Sequence, residues 1–177
     1  MALSVDIPDL PTDLTPSELL DKLYDLNPQF ESYVISFVVI AIFWISYHQA
    51  FNHIKGLHII MVYLNLLFLL LITLLSLSTS IVINYDTYQI PYVIYSFIVT
   101  MTTSLLALIW WHATKNKHLI DKNLHHFFIK GIMANLMSIP IVFTISILIS
   151  FVSLGIAQYF WLVIVPLTIA IRRRYKH

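Results

Sequence analysis

The chain of 177 residues contains no cysteine, only three glycines, and few charges, 11% of its residues. Without cysteine it can form no disulfide framework, thiolate zinc site, iron–sulfur cluster or cysteine nucleophile, and its redox compartment stays open. Three glycines exclude collagen-like and glycine-rich low-complexity sequence. A soluble surface needs roughly 25–35% charged residues, so a soluble globular domain is excluded. Disorder is excluded too, because 59% of the residues are hydrophobic and mean hydropathy is +0.82. The remaining class is an all-α, polytopic helical membrane protein.

A membrane-crossing helix needs about 20 mostly apolar residues. Five stretches fit, at about 31–53, 59–83, 91–112, 129–152 and 156–171. The last two, separated by Ser153–Gly155, read as a tight helical hairpin. Formal net charge is +1, but the charges are segregated. The acids Asp6, Asp9, Asp13, Glu18, Asp21, Asp25 and Glu31 crowd the N-terminal segment. Lys55 lies between the first two spans. Lys115, Lys117, Lys122 and Lys130 surround the third connection, and Arg172, Arg173, Arg174 and Lys176 end the chain. The intervening connections 84–90 and 153–155 hold no lysine or arginine. The positive-inside rule therefore predicts an outside N-terminus, an inside C-terminus and a multi-pass protein of the cell membrane. Five spans satisfy that parity. Tyr85, Tyr88 and Tyr92, then Tyr159, Phe160 and Trp161, are expected as outer interfacial anchors, with Trp110 and Trp111 at an inner boundary.

The domain reading is an acidic extracytosolic segment, 1–28, followed by a transmembrane helical domain, 29–177. Within the first, Pro8, Pro11 and Pro16 mark an extended connector. Thr15-Pro16-Ser17-Glu18 fits a capping box with proline at the first helical position. Leu19, Leu20, Leu23, Tyr24 and Leu26 then form the apolar face of a short amphipathic helix that Asn27-Pro28 stops. That helix lies either at a pore mouth or on lipid and neighbouring helices.

Candidate chemistry is sparse. Eight histidines (His48, His53, His58, His112, His118, His125, His126 and His177) lie towards the inner side. Their spacings are long for a metal centre of the membrane-desaturase type, and Asp121 is the one nearby acid. The other reading is interfacial histidine beside basic loops. His48, a turn after Trp44, is expected to hydrogen-bond another helix. No charge falls in the middle of a span, against proton-coupled transport and voltage sensing. Pro140 and Pro166 could kink spans four and five. Mild polarity remains: Asn65, Thr73, Ser76, Thr79 and Ser80 in span two, Thr100, Thr102, Thr103 and Ser104 in span three, Asn135 and Ser138 in span four. Such groups either line a passive ion path or bond their own backbone and hold helices together. The sequence contains no phosphate-cradling glycine loop, no catalytic triad array and no paired carboxylates inside the spans, and so no enzyme signature. The basic C-terminal run reads as a stop-transfer anchor on anionic lipid.

The run Phe43-Trp44-Ile45-Ser46-Tyr47-His48-Gln49-Ala50-Phe51 resembles the Phe-Trp-x-x-His-His-x-x-Phe end of the second helix in the transmembrane protein 175 family. Leu64-Asn65-Leu66-Leu67-Phe68-Leu69-Leu70 resembles the start of that family's third helix. Leu14-Thr15-Pro16-Ser17-Glu18-Leu19-Leu20 resembles its outer helix. From Tyr92 to Arg174 the span order and the Trp110-Trp111 ending are compatible.

The resemblance implies a homotetrameric, passive potassium channel in the lipid bilayer, with potassium as permeant ion, no cofactor, no catalytic or metal site and no nucleic-acid partner. It implies that Trp44, His48 and Asn65 support the pore structurally. Tyr47 stands where the family has the first histidine of its pair. The family's pore helix carries Phe-Ser-Asp, and that tripeptide occurs nowhere in this sequence. Ala2-Leu3-Ser4-Val5-Asp6-Ile7-Pro8 resembles the exit from that helix. The expectation is therefore a channel subunit lacking its pore-lining first helix, truncated at its N-terminus and not conducting alone. The other expectation is a non-conducting scaffold or accessory subunit.

Overall fold

The structure is a computed structural model that describes residues 27–56, 58–115, 119–120 and 124–175. The short outer helix expected over residues 16–26 lies outside the described residues. So do His118, Lys117, Asp121, Lys122, Lys176 and His177.

The chain is all-α and polytopic, as its composition requires. Helix α1 spans Asn27–Phe51, α2 Ile59–Asn84, α3 Gln89–Lys115 and α4 His126–Ser150. A tight turn leads to α5, Leu154–Phe160, then a 3-10 turn, Trp161–Val163, and α6, Ile164–Arg174. Helices α2, α3, α4 and the continuous segment Leu154–Arg174 are each long and apolar enough to cross a membrane. The apolar part of α1, Ser36–Phe51, is shorter. At about 1.5 Å per residue it covers about 24 Å of a hydrocarbon layer about 30 Å thick.

The prolines explain where the helices bend and where they do not. Pro28 and Pro91 lie in the first turns of α1 and α3, where a missing N–H is harmless. Asn27-Pro28, expected to end the outer helix, is therefore part of α1. Pro140 sits inside α4, which continues through it. Pro166 offers no N–H to the carbonyl of Leu162. The helix tightens to 3-10 geometry just before it, so the kink expected in span five takes the form of the break between α5 and α6. Ser153 caps α5, its hydroxyl accepting from the N–H of Ile156 at 3.5 Å, and completes the expected hairpin with α4.

Helices α1 to α4 pack as neighbours in chain order, with the most extensive contact between α3 and α4; α4 also receives α5 and α6. On α1 the buried side chains are Ser36, Phe43 and Ala50; on α2 they include Met61, Phe68 and Leu75. A seven-residue step keeps a single seam in register on each helix. The centre is filled by Leu106, Ile109 and Trp110 of α3 with Leu136 and Phe143 of α4. Small residues, among them Ser96, Thr103, Ser138 and Ser146, are buried between the helices and let their backbones approach.

Most of the span hydroxyls bond carbonyls of their own helix. Thr73 donates to Leu70, Ser78 and Thr79 to Leu75, Thr100 to Ser96, Thr102 to Ile98, Thr103 to Val99 and Ser138 to Asn135, all at 2.7–2.9 Å. Of the two readings open in the sequence, backbone bonding is the one these hydroxyls follow.

The two ends of the bundle are chemically distinct. At one end Lys55 N–H donates to Leu119 O at 2.7 Å, Ile54 pairs with Ile120, and Gly131 near the start of α4 touches Tyr175. The basic connections and the arginine tail, separate in sequence, therefore share one end. At the other end Gln89 Nε2 donates to Ser150 O at 3.1 Å and Gln158 Nε2 to Asp86 O at 2.8 Å.

Two expected interfacial anchors are corrected. Tyr92 is buried: its hydroxyl lies 2.5 Å from Ser146 Oγ and donates to Ala157 O at 2.7 Å. Trp110 is also fully buried, and its Nε1 donates to Ile129 O at 3.2 Å. Their neighbours Tyr85, Tyr88 and Trp111 are exposed as anchors should be, with Lys115 Nζ 4.9 Å from the Trp111 ring. Residue type marks an aromatic as suited to an interface, but the helix face decides whether it reaches one.

A Cβ added at Gly131 would lie 2.9 Å from Cβ of Tyr175, too close for both to stay in place. Gly131→Leu is expected to displace Tyr175 and loosen the last turn of α6. Limited trypsin digestion in detergent should then cleave after Arg172–Arg174 severalfold faster than in the parent, since cleavage follows local opening. Unchanged cleavage would show that the contact does not hold the tail.

Candidate functional site

The residues singled out for pore support lie on α1 and α2, which pack side by side. Their side chains do not converge. Trp44 and His48, one turn apart, stack with ring centroids 5.1 Å apart and planes 9° from parallel. That pair faces away from the bundle, Trp44 being 62% exposed. His48 was expected to hydrogen-bond another helix, but among the described residues its side chain has only the Trp44 stack. The seam explains this: Phe43 and Ala50 are the buried positions here, which turns positions 44 and 48 outwards.

Asn65 lies on the inner side of α2, where its side chain interacts with that of Tyr47. Tyr47 in turn stacks on Phe51 at 4.1 Å and on Phe68 at 5.3 Å. A connected Tyr47–Phe51–Phe68–Asn65 cluster therefore joins the end of α1 to α2. The residue at which the chain departs from the family motif is the one that makes the inter-helix contact. Its signal was present in the sequence as the four-residue aromatic step from Tyr47 to Phe51. What the sequence could not show was Phe68 opposite it.

Three buried side-chain atoms have no hydrogen-bond partner among the described residues: Asn65 Oδ1, Ser96 Oγ and Asn135 Oδ1. They lie on three different helices, so they define no single polar path. Asn135 borders a cavity of about 780 Å³ at the basic end, between the second half of α1, the first half of α4 and the end of α6. Arg172 and Arg173 lie on its wall.

The described histidines make separate contacts. His58 caps α2, its Nδ1 accepting from Ile60 N–H at 3.4 Å, and its ring lies 6.0 Å from that of His112. His53 meets Phe128 edge-on at 5.0 Å. Among the described residues, no three histidine, aspartate or glutamate side chains gather where they could hold a metal ion.

Fold and interior together define a polytopic helical membrane bundle whose described spans carry charges only towards their ends. Residues 1–75 match the family model described as "Endosomal/lysosomal potassium channel TMEM175". The chain is also 29% identical over 98 residues to a curated potassium channel of Streptomyces collinus (strain DSM 40733 / Tue 365). That match takes in 53% of this chain and 48% of the relative, about half of each. No solved structure matches the chain. The family resemblance carried by residues 14–75 is thus borne out, and it extends over the N-terminal segment, α1 and most of α2.

Proposed function

We propose that this chain is a subunit of a passive, potassium-selective channel of the family that its first 75 residues match, working as a homo-oligomer, a tetramer by resemblance. That match carries the proposal. Spans free of central charge suit passive conduction, which needs no intramembrane titrating group. Potassium is the permeant ion, and neither enzymatic activity nor a cofactor enters this reading. Because Phe-Ser-Asp occurs nowhere in these 177 residues, they do not conduct by themselves.

The test is potassium efflux from liposomes, measured for the 177-residue chain and for the same chain joined at its N-terminus to a family pore helix bearing Phe-Ser-Asp. The first should match empty vesicles. The second should release potassium faster than sodium. A folded fusion without potassium flux would sink the channel reading. The second reading is an accessory subunit. Co-purification with a complete family member, without any flux from the fusion, would point to it.

The orientation proposed is N-terminus outside and C-terminus cytoplasmic, in the cell membrane. Its support is that the basic segments share one end of the bundle, as positive-inside sorting requires. The chain's lack of cysteine makes it a ready template for labelling. A membrane-impermeant maleimide added to intact cells is expected to modify Thr87→Cys. His125→Cys should react only after permeabilisation. The reverse pattern would invert the topology.

A further inference from the structure

The cavity at the basic end is not used by the pore-support residues, and we propose that it is a binding site for one anionic phospholipid, held by its phosphate. Arg172 and Arg173 line the cavity, and no aspartate or glutamate is among its described lining residues. Neither arginine has an ion-pair partner among the described residues. The carbonyl ends of α1 and α6 also lie near, but each carries only about half a negative charge. Two full positive charges outweigh them, so the site selects an anion. A guanidinium offers paired N–H donors that match phosphate oxygens, which a bare surface charge does not.

The lining then selects a lipid over a free anion. Gln49 and Asn52, from the end of α1, supply neutral groups for a headgroup. Ile132 of α4 and Ile169 of α6 supply an apolar wall, and Ile169 is 49% exposed on the outside of the bundle. The cavity thus joins a polar, positive mouth to apolar surface that faces the acyl-chain region. At about 780 Å³ it accommodates a headgroup and the first part of a chain. Its place among the gathered basic segments is headgroup depth, where basic pockets between helices hold anionic lipids. Packing explains why the space exists. α1 is held mainly by α2, whereas α6 is held by α4, so the three helices do not close on one another at this end.

The inference does not rest on the channel reading, because it needs only the membrane-embedded bundle. The experiment is reconstitution in nanodiscs of mixed phosphatidylglycerol and phosphatidylcholine, gentle release into detergent, and mass spectrometry of the lipid that stays bound. Phosphatidylglycerol should be retained about tenfold or more over phosphatidylcholine. Arg172→Gln with Arg173→Gln should abolish the preference. Gln49→Trp, which fills the cavity and leaves every charge in place, should abolish it as well. Added inorganic phosphate should not compete.

A Gln49→Trp protein that is fully helical and still prefers phosphatidylglycerol would overturn the proposal, since the arginines would then act as a diffuse surface anchor. Full competition by inorganic phosphate would overturn it in favour of a free-anion site. Equal retention of both lipids would overturn it outright. If Gln49→Trp loses helical content, Ile169→Trp fills the apolar end of the same cavity and is read in the same way.

Discussion

Trp110→Ala is expected to destabilise the bundle by about 2–3 kcal/mol, less than the roughly 3–5 kcal/mol for a buried large aromatic in a soluble core. The indole is 0% exposed and sits in the central core with Leu106 and Ile109 of α3 and Leu136 and Phe143 of α4. In lipid the loss is not one of hydrophobic transfer, because a freed apolar face meets acyl chains as readily as protein. It consists of dispersion contacts that no neighbour replaces, plus the Nε1 hydrogen bond to Ile129 O. That bond joins α3 to the first turn of α4, so its loss loosens the largest helix pair. The adjacent Trp111→Ala is the control. Its ring is 47% exposed and mainly supports Lys115, so it should cost less than about 1 kcal/mol. Reversible unfolding by SDS titration in mixed micelles measures both. Equal costs for the two tryptophans would contradict the core described above.

The second large effect is a non-additive one. The carbonyl of Ala157 receives hydroxyl donors from Tyr92 at 2.7 Å and Ser146 at 2.8 Å. It needs them because the chain leaves α-helical geometry there: Trp161, one turn on, directs its N–H to Tyr159 O instead. Either hydroxyl alone can satisfy the carbonyl. Tyr92→Phe and Ser146→Ala are therefore each expected to cost about 0.6 kcal/mol, the usual worth of an inter-helix hydrogen bond in a membrane. Together they strand a buried carbonyl where no water reaches, which should cost about 2–3 kcal/mol. The double-mutant cycle, read by the same SDS titration, should show more than the sum of the singles. Simple additivity would mean that the carbonyl has another partner.

The candidate pore-support residues show how far a motif carries. The pattern at Phe43–Phe51 pointed to the family whose model residues 1–75 match, and the structure places it at the end of α1. It could not say which side chains face the bundle. Trp44 and His48 turned out to form an outward-facing stack, and Tyr47 makes the contact to α2. The basic-end cavity was less legible still. Its walls come from α1, α4 and α6, segments up to 129 positions apart, from Ser46 to Tyr175. No local pattern links them.

What the sequence determined by itself was the class of molecule: its helices, the four segments long and apolar enough to cross a membrane, the hairpin before α5 and the sorting of basic residues to one end. Each of these follows from composition along a single segment, because the polar backbone of an apolar segment must satisfy its own hydrogen bonds in lipid and has only the helix to do so here. What only the tertiary structure decided was which face of each helix is inside. That explains Tyr92 and Trp110 as core residues and Trp44 as a surface one. In a soluble helix the polar stripe marks the outside, but here both faces are apolar, since lipid and protein interior make nearly the same demand on a side chain. Shape fit and a handful of hydrogen bonds settle the choice, and neither is written in hydrophobic periodicity.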